Sequence, residues 1–507
     1  MNSGRGEGDV KADHKPPQND TQPGGFFGLS VSSLLGGGVW VMVARLFSQV
    51  AQLIAFVAAA RVLSPAEFGF FAFVSAIAFL FVVVSEGGWA EFIMRADHGE
   101  EQLPQLTAIA LVSGFGFTAA GLLLGLFVGV FWFPAWQAWL FALFALWFIP
   151  AAVNAVYDGM LVHRSLLNMQ AIIRILAEAV GLAITLFGLW AGWNIAALVV
   201  GRLATHILGV FGGVWVIGWI TPKIPSRAVF AEVIHFARYI LSVRIIVFAR
   251  SYSGTLVVGG LLGLADAGYY RAAERIVAAF SELVGEPARL LAWVVFRRAN
   301  SRSAAATTVD PITRAGSFFL PVLFAIAAPV YLGLVLVAGN LVDIALGAAW
   351  APVALVVKIL AIRQLLMFQG YVTEPLLAVR GEVKRLWPLS LFISFASILM
   401  IVALAPFGLV YAALGQCVAA AFAGALSVWF QVRYGKLDWM GISANSGLIM
   451  LAAAVMFVGV SSLAHWPTEA HLPAYSQMAM QVLVGALIYL GVLYASWRWT
   501  GWLKSGR

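Results

Sequence analysis

Four charged residues, Arg275, Glu282, Glu286 and Arg289, interrupt the apolar stretch GYYRAAERIVAAFSELVGEPARLLAWVVF (268–296) at offsets of 0, +7, +11 and +14. At 100° per residue all four fall within about 40° of one line along a helix, with Arg271 at its outer end. Arginine keeps its charge and presents a planar fork that grips phosphate or carboxylate with two hydrogen bonds. A carboxylate on the same line either pairs with it or takes up a cation. Smaller sets recur along the chain: Arg45, Ser48, Gln49 and Gln52; Glu86 and Glu91 around Gly87-Gly88; Gln170, Arg174 and Glu178; Arg202 and His206; Arg244, Ser251 and Thr255; Lys358, Arg363, Gln369 and Glu374. The bland account is pairing: Arg174 with Glu178, Arg289 with Glu286, Arg45 with a glutamate near Gly87. Pairing does not absorb everything. Arg45, Arg174, Arg202, Arg244, Arg250, Arg275, Arg289, Lys358 and Arg363 outnumber Glu86, Glu91, Glu178, Glu282, Glu286 and Glu374, and such a surplus predicts an anionic ligand. The candidates for binding it are Arg45, Gln49, Arg174, Arg244, Arg250, Arg275, Arg289 and Arg363. Glu86, Glu91, Glu178, Glu282 and Glu286 are candidates for ion coupling or structural pairing. Arg238 is expected to snorkel at a membrane edge, and His206 to be packed beside arginine. The lone Cys417 offers no cysteine metal site, and no phosphate-cradling loop is present. No metal, cofactor or catalytic residue is expected.

The elements that position these groups follow from composition. The 507 residues are 62% hydrophobic and only 11% charged, with a mean hydropathy of +0.92; soluble domains carry about 25% charge. Such a chain belongs in a bilayer, where about 20 residues of helix cross the hydrocarbon. Roughly fourteen spans are predicted, near 38–60, 70–93, 106–132, 137–158, 169–190, 194–218, 238–261, 270–295, 315–338, 351–376, 387–405, 409–430, 446–465 and 475–497. A charge at a helix centre costs about 2.5–3.5 kcal/mol on insertion scales, so the polar sets must face one another or a cavity. Even-numbered loops hold the Lys and Arg (Arg95; Arg164; Lys223 and Arg227; Arg297, Arg298, Arg302 and Arg314; Arg380, Lys384 and Arg385; Arg433 and Lys436), which places them and both termini in the cytoplasm. The same bias explains the +8 net charge without nucleic acid.

One turn is written twice. LSPAEFGFF (63–71) ends span one and LGLADAGYY (262–270) ends span seven, six crossings later and therefore in the same orientation; DGMLVHRS (158–165) and EPLLAVRG (374–381) repeat more weakly after spans four and ten. The bland alternative is that this is simply a good turn between helices. The pattern predicts an all-α polytopic protein of two parallel six-helix lobes around a central cavity, with two further helices. The expected divisions are a disordered tail (1–35), an N-terminal lobe (36–220), an amphipathic linker (221–237), a C-terminal lobe (238–432) and the extra helices with a short tail (433–507).

Residues 63–95, 262–299 and 346–385 resemble the multidrug/oligosaccharidyl-lipid/polysaccharide exporter superfamily, in its polysaccharide-transporter branch of Wzx-type flippases. The likeness in layout covers nearly all of 36–497. It implies alternating access and a polyprenyl-diphosphate-linked oligosaccharide carried between leaflets of a bacterial inner membrane. Partners would be that lipid-linked cargo, membrane lipid, and polysaccharide polymerase and chain-length or export proteins. The family's cavity helices, mainly spans one, two, seven and eight, bear Arg45, Glu86, Arg244, Arg250, Arg275, Glu282, Glu286 and Arg289 here. Loss of Arg244 or Arg275 should then reduce transport without unfolding. A cation-coupled drug antiporter of the same superfamily would favour membrane carboxylates over arginines. A glycan polymerase or ligase would need a sizeable outer loop, and the odd loops are short.

Overall fold

The computed structural model describes residues 38–95, 99–131, 135–301, 310–463 and 473–500, and these are helical with no strand among them. The expected disordered tail lies outside them. The first half holds α1 (Val39–Val62), α2 (Pro65–Ser85), α3 (Trp89–Arg95), α4 (Gly99–Phe131), α5 (Ala135–Ala145), α6 (Phe148–His163), α7 (Leu167–Trp190) and α8 (Ile195–Ile217). The second holds α9 (Arg227–Leu261), α10 (Leu264–Ser301), α11 (Pro311–Ala345), α12 (Ala351–Met367), α13 (Thr373–Val379), α14 (Leu386–Leu404) and α15 (Leu409–Arg433), followed by α16 (Trp439–Leu463) and α17 (Ala474–Thr500). Twelve helical segments are long and apolar enough to cross a bilayer. The 35-residue α9 and 38-residue α10 are too polar to qualify on composition, yet they stand among the others as the seventh and eighth of fourteen spans.

Local chemistry explains the breaks. At the first copy of the repeated turn, Ser64 and Glu67 form a capping box: Glu67 N donates to Ser64 Oγ at 3.3 Å, and Ser64 N donates to Glu67 Oε2 at 2.8 Å. Pro65 supplies the first helical residue, where its missing N–H costs nothing. Span two breaks into α2 and α3 at Gly87 and Gly88, whose φ values of 55° and 80° suit glycine. Span ten breaks at Phe368–Val372, a 3₁₀ turn. There Gln431 of α15, fully buried, donates to Gln369 O at 3.0 Å and to Thr373 Oγ1 at 2.8 Å. Irregular backbone at membrane depth needs such partners. The expected linker and span seven are one piece: α9 begins at Arg227 and runs through 237–238 without interruption.

The two halves share their largest apolar cluster at one end. At the face of the repeated turns a single apolar cluster joins Phe68, Phe70, Phe148, Leu198, Val258, Tyr270, Leu334 and Trp350 from both halves. Towards the Arg-rich loops it divides. One cluster gathers Trp89, Leu106, Met160 and the start of α9, and another gathers Phe296, Leu320, Tyr331 and Leu376. Beneath the shared cluster the lobes leave a space between them.

Candidate functional site

At the closed end of that space lies a cavity of about 280 Å³ between α1, α2, α7, α8, α9 and α10, walled by Gln52, Ser75, Glu178, Arg202, Tyr252 and Arg275 among others. Its polar groups form a relay across the two halves. Arg275 donates to Gln49 Oε1 at 3.5 Å and to Gln52 Oε1 at 3.4 Å. Gln52 Nε2 donates to Glu178 Oε1 at 3.5 Å, and Arg202 pairs with the same oxygen at 3.5 Å. Arg271, above it, is neutralised by Glu274 at 3.2 Å and lies 4.7 Å from the centre of the Tyr252 ring. Arg275 is thus held by two neutral amides and pairs with no described carboxylate. These bonds are long, and an anion offering two oxygens would give the fork shorter, charge-assisted ones.

The predicted residues divide into groups. Arg275, Gln49 and Glu178 belong to the cavity. Arg45, Glu286 and Arg289 meet lower on α10, where Arg45 lies 3.7 Å and Arg289 3.0 Å from Glu286, with Glu374 at 3.8 Å from Arg289. Glu282 stands on α10 between this cluster and Arg275. Arg244 reaches Glu86 at 3.1 Å and Glu91 at 2.6 Å, so it bridges α9 to both pieces of span two. Arg174 faces Asp158 instead of pairing with Glu178, and Asp158 accepts from Asn154 Nδ2 at 3.0 Å. Arg250 and Arg363 stand together beside Tyr371 within the second half, and Arg363 also faces the Glu274 that pairs with Arg271. Of the expected pairs, Arg289–Glu286 forms. Arg45 finds Glu286 and not a glutamate of span two. His206 packs on Trp147, ring centroids 5.4 Å apart, and Arg238 lies over Tyr239 at 4.8 Å.

Sequence reasoning placed Arg271 and Gln52 on the right helix faces but missed Asp158, Glu274 and Tyr252 as members of these clusters. Two signals were available: Glu274 stands three residues from Arg271, and Asp158 four from Asn154, both neighbours on a helix face. Counting them changes the balance. With Arg271, Asp158 and Glu274 included, ten interior cations face eight carboxylates; ion pairs take up Arg45, Arg202, Arg244, Arg271 and Arg289, and of the others Arg275 is the one on the cavity wall.

Residues 58–355 match the family model described as polysaccharide biosynthesis protein. No curated protein matches the sequence. Among solved structures, the chain is similar to the lipid II flippase MurJ in an inward closed conformation, at 14% identity and a TM-score of 0.69, over 91% of this chain and 99% of that one. It is also similar to an inward-facing multidrug resistance MATE family transporter of the MOP superfamily, at 13% identity and a TM-score of 0.60, over 78% and 98% of the two chains. A MATE transporter in an outward-facing conformation gives 0.51 at 13% identity, over 80% and 96%.

Proposed function

The chain belongs to the polysaccharide biosynthesis protein family and carries the fold of the multidrug/oligosaccharidyl-lipid/polysaccharide exporter superfamily, and from that premise we propose that it is a flippase for a polyprenyl-diphosphate-linked oligosaccharide. The Arg-rich loops and both termini face the cytoplasm. Cargo enters from the cytoplasmic leaflet of the inner membrane, and the two lobes rock to release it on the other side for polymerisation. The observation that carries this reading is Arg275: a guanidinium in a cavity between the lobes, supported by amides alone, suits an anionic head group. Gln52, Glu178, Arg202 and Tyr252 offer hydrogen bonds and a ring face to sugars, while the prenyl tail stays in lipid.

The test is lipid extraction from cells lacking the gene. The reading expects diphosphate-linked oligosaccharide to build up on the cytoplasmic leaflet with surface polysaccharide lost. Replacement with Arg275→Ala should reproduce that accumulation, and Arg275→Lys, which keeps the charge without the fork, should restore part of the flow. Single units accumulating on the outer leaflet would overturn the proposal and favour a polymerising step.

A further inference from the structure

We propose that the second lobe holds a small inorganic anion of its own, a halide or an ion of similar size, between Arg250 of α9 and Arg363 of α12. The repeat places the site. Helices α1 and α9 keep a spacing of 199 residues, 261 − 62 at their ends, and spans four and ten keep one of 216, 351 − 135 at the start and 379 − 163 at the finish. At these spacings Arg250 falls on Ala51 and Arg363 on Trp147. Ala51 and Trp147 both wall the 280 Å³ cavity, so in the first half the two positions look into one hollow. In the second half the same two positions carry guanidiniums, and they too face each other.

The chain supplies donors there and too little negative charge. Among the described residues neither arginine forms an ion pair, and Glu274, the carboxylate facing Arg363, is held by Arg271 at 3.2 Å. Two guanidiniums near the middle of their spans repel each other, and charge at that depth is costly without a partner. Arginine does not shed its proton, so the counter-charge comes from outside the chain. Tyr371 adds a third donor. Gln364 Nε2 donates to Tyr371 Oη at 2.7 Å, which leaves the phenol's own proton to be donated onward. The 3₁₀ turn at Phe368–Val372 carries that ring across Gly285, where a Cβ would lie 2.4 Å from it. Two forks and a hydroxyl suit a ligand that only accepts. Arg250 is exposed and Arg363 partly buried, which gives an ion a way in. The Arg271–Glu274 pair stands between Arg363 and the cavity, so a free ion reaches the site more readily than a head group tied to a lipid.

Chloride is the probe, with the full chain purified in detergent and chloride exchanged for bulky gluconate at constant ionic strength. Chloride should raise the unfolding temperature saturably, by about 2 °C or more, and the protein should broaden the chloride NMR line over the same concentrations. Arg250→Gln and Arg363→Gln should each weaken both responses about tenfold or more, while Arg275→Ala, on the cavity wall, should leave them unchanged. Arg363→Lys, which keeps the charge without the fork, should retain a weakened response. Where Arg363→Gln does not fold, Tyr371→Phe replaces it, since it removes only the hydroxyl and should weaken chloride binding severalfold. No saturable response in the unaltered protein overturns the site. So does a response that survives both Arg250→Gln and Tyr371→Phe, or one that disappears with Arg275→Ala, which would put the ion in the central cavity. No cargo enters the measurement, so failure of the flippase reading in cells leaves this result standing, and the reverse holds too.

Discussion

Either side of the central packing of α2 on α10 lies a flanking seam, α2 against α9 and α10 against α1, and the 199-residue repeat exchanges the two. Arg244 stands 199 residues after Arg45, and each arginine crosses its seam to a glutamate, Glu86 or Glu286, that precedes a helix breaker: Gly87-Gly88 in one case, Pro287 in the other. The surroundings differ. In the α2–α9 seam Phe79 packs on Phe248 and Tyr252, at 6.4 and 5.3 Å between centroids. A Cβ on Gly88 would touch Ile240 at 2.9 Å, and Glu91 gives Arg244 a second carboxylate. In the α10–α1 seam the counterpart of Phe248 is Gln49, which with Gln52 turns to Arg275. The Arg45–Glu286 pair there is longer, and the Arg45 side chain is 56% exposed against 28% for Arg244. The same ion pair has thus been made structural on one side and left loose on the other. In the proposed flippase the loose, amide-lined seam would be the side from which a polar head group slides in while its tail remains in the bilayer.

Several changes would break this contrast. Arg244→Ala should destabilise the protein by about 2–3 kcal/mol, somewhat less than for a fully buried pair, because two carboxylates are left facing each other between the lobes. Thermal unfolding in detergent measures it, and Glu86→Gln with Glu91→Gln should recover most of the loss. The expectation that loss of Arg244 reduces transport without unfolding the protein is thereby sharpened: the fold should persist, at reduced stability. Gln49→Phe copies the dry seam onto the wet one and should lower transport by about tenfold, or about 1.4 kcal/mol, with the protein folded; normal polymer export would refute the assignment of that seam as the entrance. At the loops the repeat supplies another pair, Arg164–Glu100 at 2.8 Å and Arg380–Asp310. Burial alone would raise the Asp310 pKa, but hydrogen bonds from Arg380 and Thr313 outweigh it and hold the carboxyl below its usual range. Its stabilisation is therefore present above the ordinary aspartate pKa of about 3.9 and lost as pH falls through the lower folded value. Asp310→Asn keeps a capping oxygen but removes the charge facing Arg380, so it should cost about 0.5–1 kcal/mol and remove that acid-dependent step from an unfolding titration. Arg45→Ala should cost about 0.5 kcal/mol or less in stability, as for exposed pairs. A cost equal to that of Arg244→Ala would erase the distinction between the seams.

The spans, the bend at Gly87-Gly88 and the repeated turn were legible because hydropathy, glycine and a capping box act locally. The second echo was legible too: Arg164 and Arg380 each tie the end of a span to an acidic residue, Glu100 or Asp310, at the start of the preceding one. Partner choice was not. Helical periodicity states which residues share a face, but not which helix that face meets, so Glu178 was matched to Arg174 one turn away when Arg202 of α8 takes it. Glu274 and Asp158 lay off the predicted polar lines and went uncounted, which inflated the cationic surplus. The break at Phe368–Val372 depends on Gln431, about sixty residues onward, and no local pattern announces it.

The continuity of α9 has a mechanical consequence. Its 35 residues make a rod about 52 Å long at 1.5 Å per residue, with neither proline nor break inside it. Its upper end, Gly259, lies against Phe73 near the repeated turns, and its lower end packs among Phe92, Leu103 and Ile220. Such a rod has no elbow in which to absorb displacement. A tilt of about 10° about its middle moves the two ends about 4–5 Å in opposite directions at that length, so in the proposed rocking of the lobes widening at one face and narrowing at the other would be halves of a single lever stroke.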